Sequence, residues 1–161
     1  MAENSTQSQD RFFTDTFKVS VDGQHRAVFP KAWRLPSDTE ETRFYLVPAP
    51  DKSIHLHTST QFNIIVDALR KRASSNDVMA ARYLAAFGGN SSQITLDKQG
   101  RFQFSPALCK HAELGDKVMF IGSILYAKII SEENWNKISP ELEDSLNFIK
   151  DTELANNDII L

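Results

Sequence analysis

The chain has 161 residues, 41% hydrophobic and 24% charged, with a net charge of −3, the makeup of one compact globular domain or two small intertwined units. No apolar run nears the roughly 18 residues of a membrane-spanning helix, and the polar first ten residues lack the basic and apolar regions of a secretory signal. Cys109 is the only cysteine, which excludes an internal disulfide and a zinc cluster of cysteines, so a cytoplasmic setting is expected.

Residues 1–11 read as a flexible polar tail. Phe17, Val19 and Val21 then alternate as in a strand, the turn Asp22-Gly23-Gln24-His25-Arg26 follows, and residues 26–29 return. Pro30 opens a short helical stretch over 31–35, since proline at a first helical position loses no needed donor; Pro36 breaks it. Residues 43–47 are aromatic and β-branched, hence a strand, and the turn through Pro48 and Pro50 leads to its partner at 54–58. Thr58 with Gln61 three residues later makes a capping box for a helix that carries Phe62, Ile65, Val66 and Leu69 at helical spacing. Residues 77–87 form a connecting helix, capped by Asn76 or Asp77 and closed by Gly88-Gly89.

The second half repeats this order. Ile94 and Leu96 precede the turn Asp97-Lys98-Gln99-Gly100-Arg101, and Phe102 and Phe104 follow it. Pro106 opens a helix through His111, strands are expected at 117–121 and 126–130, and Ser131 caps a helix containing Trp135. Ser139-Pro140-Glu141 reads as one further helix start, with Leu142, Leu146 and Ile149 on an apolar face that calls for peripheral packing.

The two turns repeat at one offset, Asp22 onto Asp97 and Arg26 onto Arg101, and the caps Thr58 and Ser131 repeat at a slightly shorter one. Agreement over so many positions marks a duplicated βββα unit in an α+β fold. The units span residues 12–75 and 91–138, joined by the helix at 76–90 and followed by an acidic helix and tail at 139–161. Charge follows the same partition. Residues 132–161 hold eight of the 21 acidic and two of the 18 basic residues, leaving 16 basic and 13 acidic before them, a net of +3. A polyanion responds to local charge, so the acidic total does not exclude nucleic acid.

Arg26 and Arg101 admit two readings. Arginine bonds bidentately to guanine or phosphate, and a turn tip would project it outward; alternatively each Asp–Arg pair, Asp22 with Arg26 and Asp97 with Arg101, braces its own turn. Gln24, Lys98 and Gln99 sit on the tips, and Lys31 and Arg34 follow the first turn, where they could add phosphate contacts or stay solvated. Arg70-Lys71-Arg72 complements a helix C-terminus and reads as structural, at a subunit interface. His55 and His57 alternate on one strand face without a third ligand, so no metal site is expected, and no cofactor. Cys109 and His111 stand two apart on a helix and point apart, which argues against a nucleophile–base pair. Trp33 and Trp135 read as packing anchors.

Taken with their flanks, the doubled Asp-x-x-x-Arg turns resemble the MraZ family of bacterial transcriptional regulators. The strongest block runs over residues 81–135, and the resemblance covers about residues 12–138, with the acidic segment outside it. It implies an AbrB-like swapped-hairpin β-barrel with flanking helices, duplicated in one chain, and a ring-shaped homo-oligomer in the cytoplasm and on the nucleoid. The implied partner is double-stranded DNA with short direct repeats upstream of the division and cell-wall gene cluster, where the family acts mainly as a repressor. The family's contact residues carry over to Asp22, Arg26, Asp97 and Arg101. The first turn departs from the family, with His25 where a glycine serves a positive φ and without the lysine, so Arg26 is expected to matter less than Arg101. The alternative is an oligomeric scaffold of the same fold that no longer binds DNA. No catalytic constellation is present in the sequence, so an enzyme is not expected.

Overall fold

The computed structural model describes residues 10–73 and 77–152. Most of the expected N-terminal tail, the alternative cap Asn76 and the end of the acidic segment lie outside the described residues. In chain order the elements are β1 (Thr16–Ser20), β2 (Arg26–Val28), a 3-10 turn (Lys31–Trp33), β3 (Phe44–Pro48), β4 (Ile54–Thr58), α1 (Ser59–Ala73) and α2 (Val78–Gly89). The second half continues with β5 (Ser92–Ile94), β6 (Arg101–Gln103), α3 (Pro106–His111), β7 (Lys117–Gly122), β8 (Ala127–Ile130), α4 (Glu132–Ile138) and α5 (Leu142–Lys150). The fold is mixed α+β with antiparallel pairing throughout.

Each unit holds four strands, one more than the βββα pattern expected. The turn separates two strands that never pair with each other: β1 pairs with β7, and β2 with β6. A six-stranded sheet results, ordered β1-β7-β8-β4-β3-β5, and β2-β6 forms a separate two-stranded ribbon. Replacing each strand by its counterpart in the other unit (β1 by β5, β2 by β6, β3 by β7, β4 by β8) reverses the sheet order onto itself. The registers obey the same dyad. Ala27 pairs with Phe102, its own counterpart in the second unit, and the pair Ile54–Ile129 repeats as Leu56–Ala127. The units therefore exchange strands, with β1 of the first lying on β7 of the second and β5 of the second on β3 of the first. The sheet ends at β1 and β5, and no closed barrel forms among the described residues.

One face of the sheet and the inner face of the ribbon enclose the core. Alternation sends Phe44, Leu46, Ile54, Leu56, Val118, Phe120 and Ile129 inward, where all are buried. From the ribbon, Phe102 reaches Phe120 at 6.1 Å between ring centroids. Trp33 is the expected anchor: it is 2% exposed, meets Phe13 and Phe17 edge-on at 5.2 Å, and donates its indole N–H to Thr14 O at 2.7 Å. Trp135 is only half-buried.

Local chemistry set most of the helix starts as expected. Thr58 Oγ1 accepts from Gln61 N at 3.2 Å, Asp77 from Met79 N at 2.9 Å, and Ser131 from Asn134 N at 3.1 Å. The last helix departs from expectation. Ser139 closes α4, donating its N–H to Trp135 O at 2.7 Å, and α5 begins at Leu142 after an uncapped Glu141. A residue before proline is pushed to extended backbone, and Ser139 has ψ 123, so the Ser-Pro pair ends one helix instead of opening the next. Leu142 and Leu146 are 72% and 48% exposed, so their apolar face finds no cover among the described residues. None of the described helices is long and apolar enough to cross a membrane.

Candidate nucleic-acid interface

The two turns are near copies in geometry. Asp22 Oδ1 accepts from Gln24 N and Arg26 N, both at 2.9 Å, and its Oδ2 accepts from Arg26 Nε at 2.8 Å. Asp97 does the same with Gln99 N, Arg101 N and Arg101 Nε, all at 2.9 Å. The Arg N–H bonds, then the guanidinium, hold both carboxyls below the ordinary aspartate range even though burial alone would raise them. The brace therefore exists. It uses Nε alone, and no hydrogen bond among the described residues takes Nη1 or Nη2 of either arginine, which leaves each guanidinium four donors.

The backbone at the fourth turn position explains the histidine. His25 has φ 59 and Gly100 has φ 75, so His25 holds the left-handed position that glycine holds in the second turn. A side chain fares differently at the two sites. A Cβ on Gly100 would lie 1.9 Å from Arg34 Nη2, whereas His25 is exposed.

Strand exchange decides what surrounds each tip. Phe29 N donates to Gly100 O at 2.9 Å, and Arg34 lies across Gly100 with Nη2 donating to Phe29 O at 2.9 Å. Lys31 and Arg34, which the sequence places after the first turn, thus belong beside the second. In return, Phe104 N donates to His25 O and Gln103 Nε2 to Gln24 O, at 2.9 and 2.8 Å. The counterparts of Lys31 and Arg34 in the second unit are Pro106 and Cys109. Lys31 and Arg34 therefore lie on the side of the second tip with Lys98 and Arg101, Arg34 also within electrostatic reach of Asp38, while the first has Arg26 against Asp22. The tips match in backbone and differ in charge.

Between the tips runs the ribbon. Alternation buries Ala27 and Phe102 and turns Arg26, Val28, Arg101 and Gln103 to the outer face. Arg26 stands opposite Gln103 and Arg101 opposite Val28, a diagonal that separates the two arginines by about 7–8 Å. Val28, 45% exposed opposite Arg101, was not singled out from the sequence; its solvent-facing position in an apolar return strand was the available signal. Gln24, Lys98 and Gln99 are exposed on the tips as expected.

The other residues weighed for chemistry lie apart from this face. His55 and His57 pack around Tyr126, at 4.3 and 5.4 Å between rings, and burial lowers the pKa of each to about 4. Lys128, ion-paired with Asp51, stands opposite His55. Among the described residues no group of three or more His, Cys, Asp or Glu could hold a metal. His111 Nε2 is held by Ala49 O at 2.8 Å and Ser53 O at 3.2 Å, which ties α3 to the β3–β4 turn, and burial raises the Cys109 thiol pKa.

Comparison with known proteins agrees with the resemblance to the MraZ family. The family described as MraZ protein, putative antitoxin-like, has a model that matches residues 87–158. That match runs through α5, so the acidic helix set outside the resemblance lies within it. Proteins named Transcriptional regulator MraZ are similar over most of the chain. The one from Pseudoalteromonas translucida is 29% identical over 127 residues, 78% of this chain and 83% of its own. Those from Mesomycoplasma hyopneumoniae (strain 7448) and Paenarthrobacter aurescens are both 26% identical, covering 83% and 88% of this chain and 88% and 96% of their own.

Proposed function

Because this chain belongs to the MraZ family of transcriptional regulators, we propose that it binds double-stranded DNA sequence-specifically through the β2–β6 ribbon and its two tips. One observation carries the reading: both arginines are clamped by Nε alone, on the outer face of one two-stranded ribbon, and no hydrogen bond among the described residues takes their Nη groups. A major groove accepts a two-stranded ribbon, and an arginine edge fits guanine O6 and N7. Asp22 and Asp97 orient the guanidinia. Gln24 and Gln99 reach toward base edges, and Lys31, Lys98 and Arg34 neutralise phosphates at the second tip. The strand exchange supports grouping the fold with the swapped-hairpin barrels.

Few cations per chain mean weak binding by one copy. We place the affinity in a ring-shaped homo-oligomer on short direct repeats, where each engaged copy raises the effective concentration of the next. Occupying a promoter in this way represses it, with the division and cell-wall genes as the target. The alternative, a scaffold without DNA binding, draws on the cation-poor first tip. Against it stands the second tip, where Arg34 lies over Gly100 in the turn that carries Lys98 and Arg101.

The test is a mobility-shift titration at fixed salt, using duplex DNA that carries short direct repeats. Arg101→Ala should lower affinity about 5- to 150-fold per contacted box, the worth of one bidentate arginine–guanine pair, with oligomer mass unchanged. Full affinity in this variant refutes the role of Arg101. Wild-type protein whose binding is absent at every salt concentration supports the scaffold instead, since a DNA binder loses affinity steeply as salt rises.

A further inference from the structure

Two helical surfaces lack cover among the described residues. On the first, α1 and α2 contain no buried residue, although α2 carries a single charge, Arg82, in twelve residues. A helix apolar on nearly every side needs burial. Val78 and Tyr83 are 66% and 68% exposed, and a groove of about 380 Å³ between the helices is lined by Ile65, Leu69, Tyr83, Leu84 and Phe87. On the second, α5 shows Leu142, Leu146 and Phe148 to solvent. The dyad sets α1 and α4 over opposite halves of the sheet, because α1 follows β4 as α4 follows β8, and α5 follows α4 in the chain.

The charges of the two surfaces are complementary. The last turn of α1 holds Arg70, Lys71 and Arg72, and the first turn of α5 holds Glu143 and Asp144 next to Glu141. We infer that α5 of one chain lies in the α1–α2 groove of a second copy, antiparallel to α1. Leu142, Leu146 and Ile149 then meet Leu69, Leu84 and Phe87, while the acidic first turn faces the basic last turn. The inference rests on the homo-oligomer proposed above and names its interface. Donor and acceptor surfaces differ, so each chain gives its own α5 and receives that of another copy. Such a heterologous contact builds a ring when its rotation closes. The DNA ribbon is a poorer seat for α5, because its tips offer cations but little apolar surface to Leu142 and Leu146.

A charge swap in the full-length chain tests this. One variant carries Glu141→Lys, Glu143→Lys and Asp144→Lys; the other carries Arg70→Glu, Lys71→Glu and Arg72→Glu. All six positions are exposed, and circular dichroism checks folding. Native mass spectrometry and light scattering read the assembly. Alone, each variant should associate at least tenfold more weakly than wild type, since like charges then meet at every junction. An equimolar mixture should recover the wild-type mass with the two chains alternating. Wild-type mass in each variant alone, or no recovery on mixing, overturns the α5 interface and leaves the oligomer standing. A monomeric wild type overturns both. Unchanged mass with a gain of at least tenfold in affinity for the repeat DNA would instead seat α5 over the ribbon, and would also overturn the inference.

Discussion

Replacing Gly100 by alanine tests the asymmetry between the two turns. A side chain at φ 75 costs about 1–2 kcal/mol in left-handed backbone. Its Cβ would also sit 1.9 Å from Arg34 Nη2, so the guanidinium must leave and its 2.9 Å bond to Phe29 O is lost. A hydrogen bond to a charged group contributes about 1.5–3 kcal/mol, the lower part of that range at a half-exposed site where water takes over. Reduced freedom of the unfolded chain returns about 0.4–1 kcal/mol. The net expectation is a loss of about 2–3 kcal/mol. Equilibrium urea unfolding at fixed protein concentration should show a midpoint lower by about 1–2 M with unchanged slope. The double variant Gly100→Ala with Arg34→Ala should lose less than the sum of the singles, because the clash is gone. His25→Gly removes the same backbone strain at an exposed site and should shift stability by no more than about 1 kcal/mol. An unchanged midpoint in Gly100→Ala, or additive singles, would refute the packing of Arg34 over the turn.

Other expectations follow from the same geometry. Lys98→Ala should reduce the slope of log affinity against log salt by about one phosphate's share while leaving base preference intact, and Arg26→Ala should weaken DNA binding less than Arg101→Ala, because the cation-poor first tip carries less of the contact. Asp97→Asn should lower affinity without touching DNA, by freeing Arg101 Nε; equal affinity would show that the brace is dispensable. His55 and His57 have a folded pKa of about 4 against about 6.5 unfolded, so below pH 6.5 the unfolded chain takes up protons that the fold refuses. Stability should therefore fall as pH drops from 6.5 toward 4, by at most about 1.4 kcal/mol per pH unit for each histidine, and His57→Phe should flatten that slope in urea titrations. Below that window Asp22, Asp38, Asp51 and Asp97, all held below the ordinary aspartate range, lose their contribution as they protonate. Trp33→Ala should cost about 3–5 kcal/mol, measured as loss of the folded baseline on heating.

What the sequence disclosed was what neighbouring residues decide among themselves. An aspartate at the head of a turn accepts its own N–H groups, so Asp22 and Asp97 announce their turns; Thr58, Asp77 and Ser131 announce helices in the same way. Even the strained backbone at His25 was legible, through the glycine that the resembled family carries there. Strand partners were hidden, because pairing between β1 and β7 or β2 and β6 spans about half the chain or more and leaves no local mark. That pairing moves Lys31 and Arg34 from the first tip to the second. Carrying the offset of the turns onward to these two cations would have shown Pro106 and Cys109, hence unequal tips, but not which tip gains. The start of α5 failed for a local reason, since Pro140 constrains the residue before it more strongly than it favours a new helix.

Fusing two halves into one chain has a consequence for orientation. Two identical halves about a dyad look the same when turned end over end, so a dimer of single units could not tell one heading along the double helix from the other. Here the backbone keeps the dyad while the side chains abandon it: Lys98 is matched by Gly23, Lys31 by Pro106, Arg34 by Cys109. The chain thereby acquires a front and a back. A protein with a heading can count tandem boxes that all point the same way, and it is also free to let one half drift in sequence while the other keeps its grip.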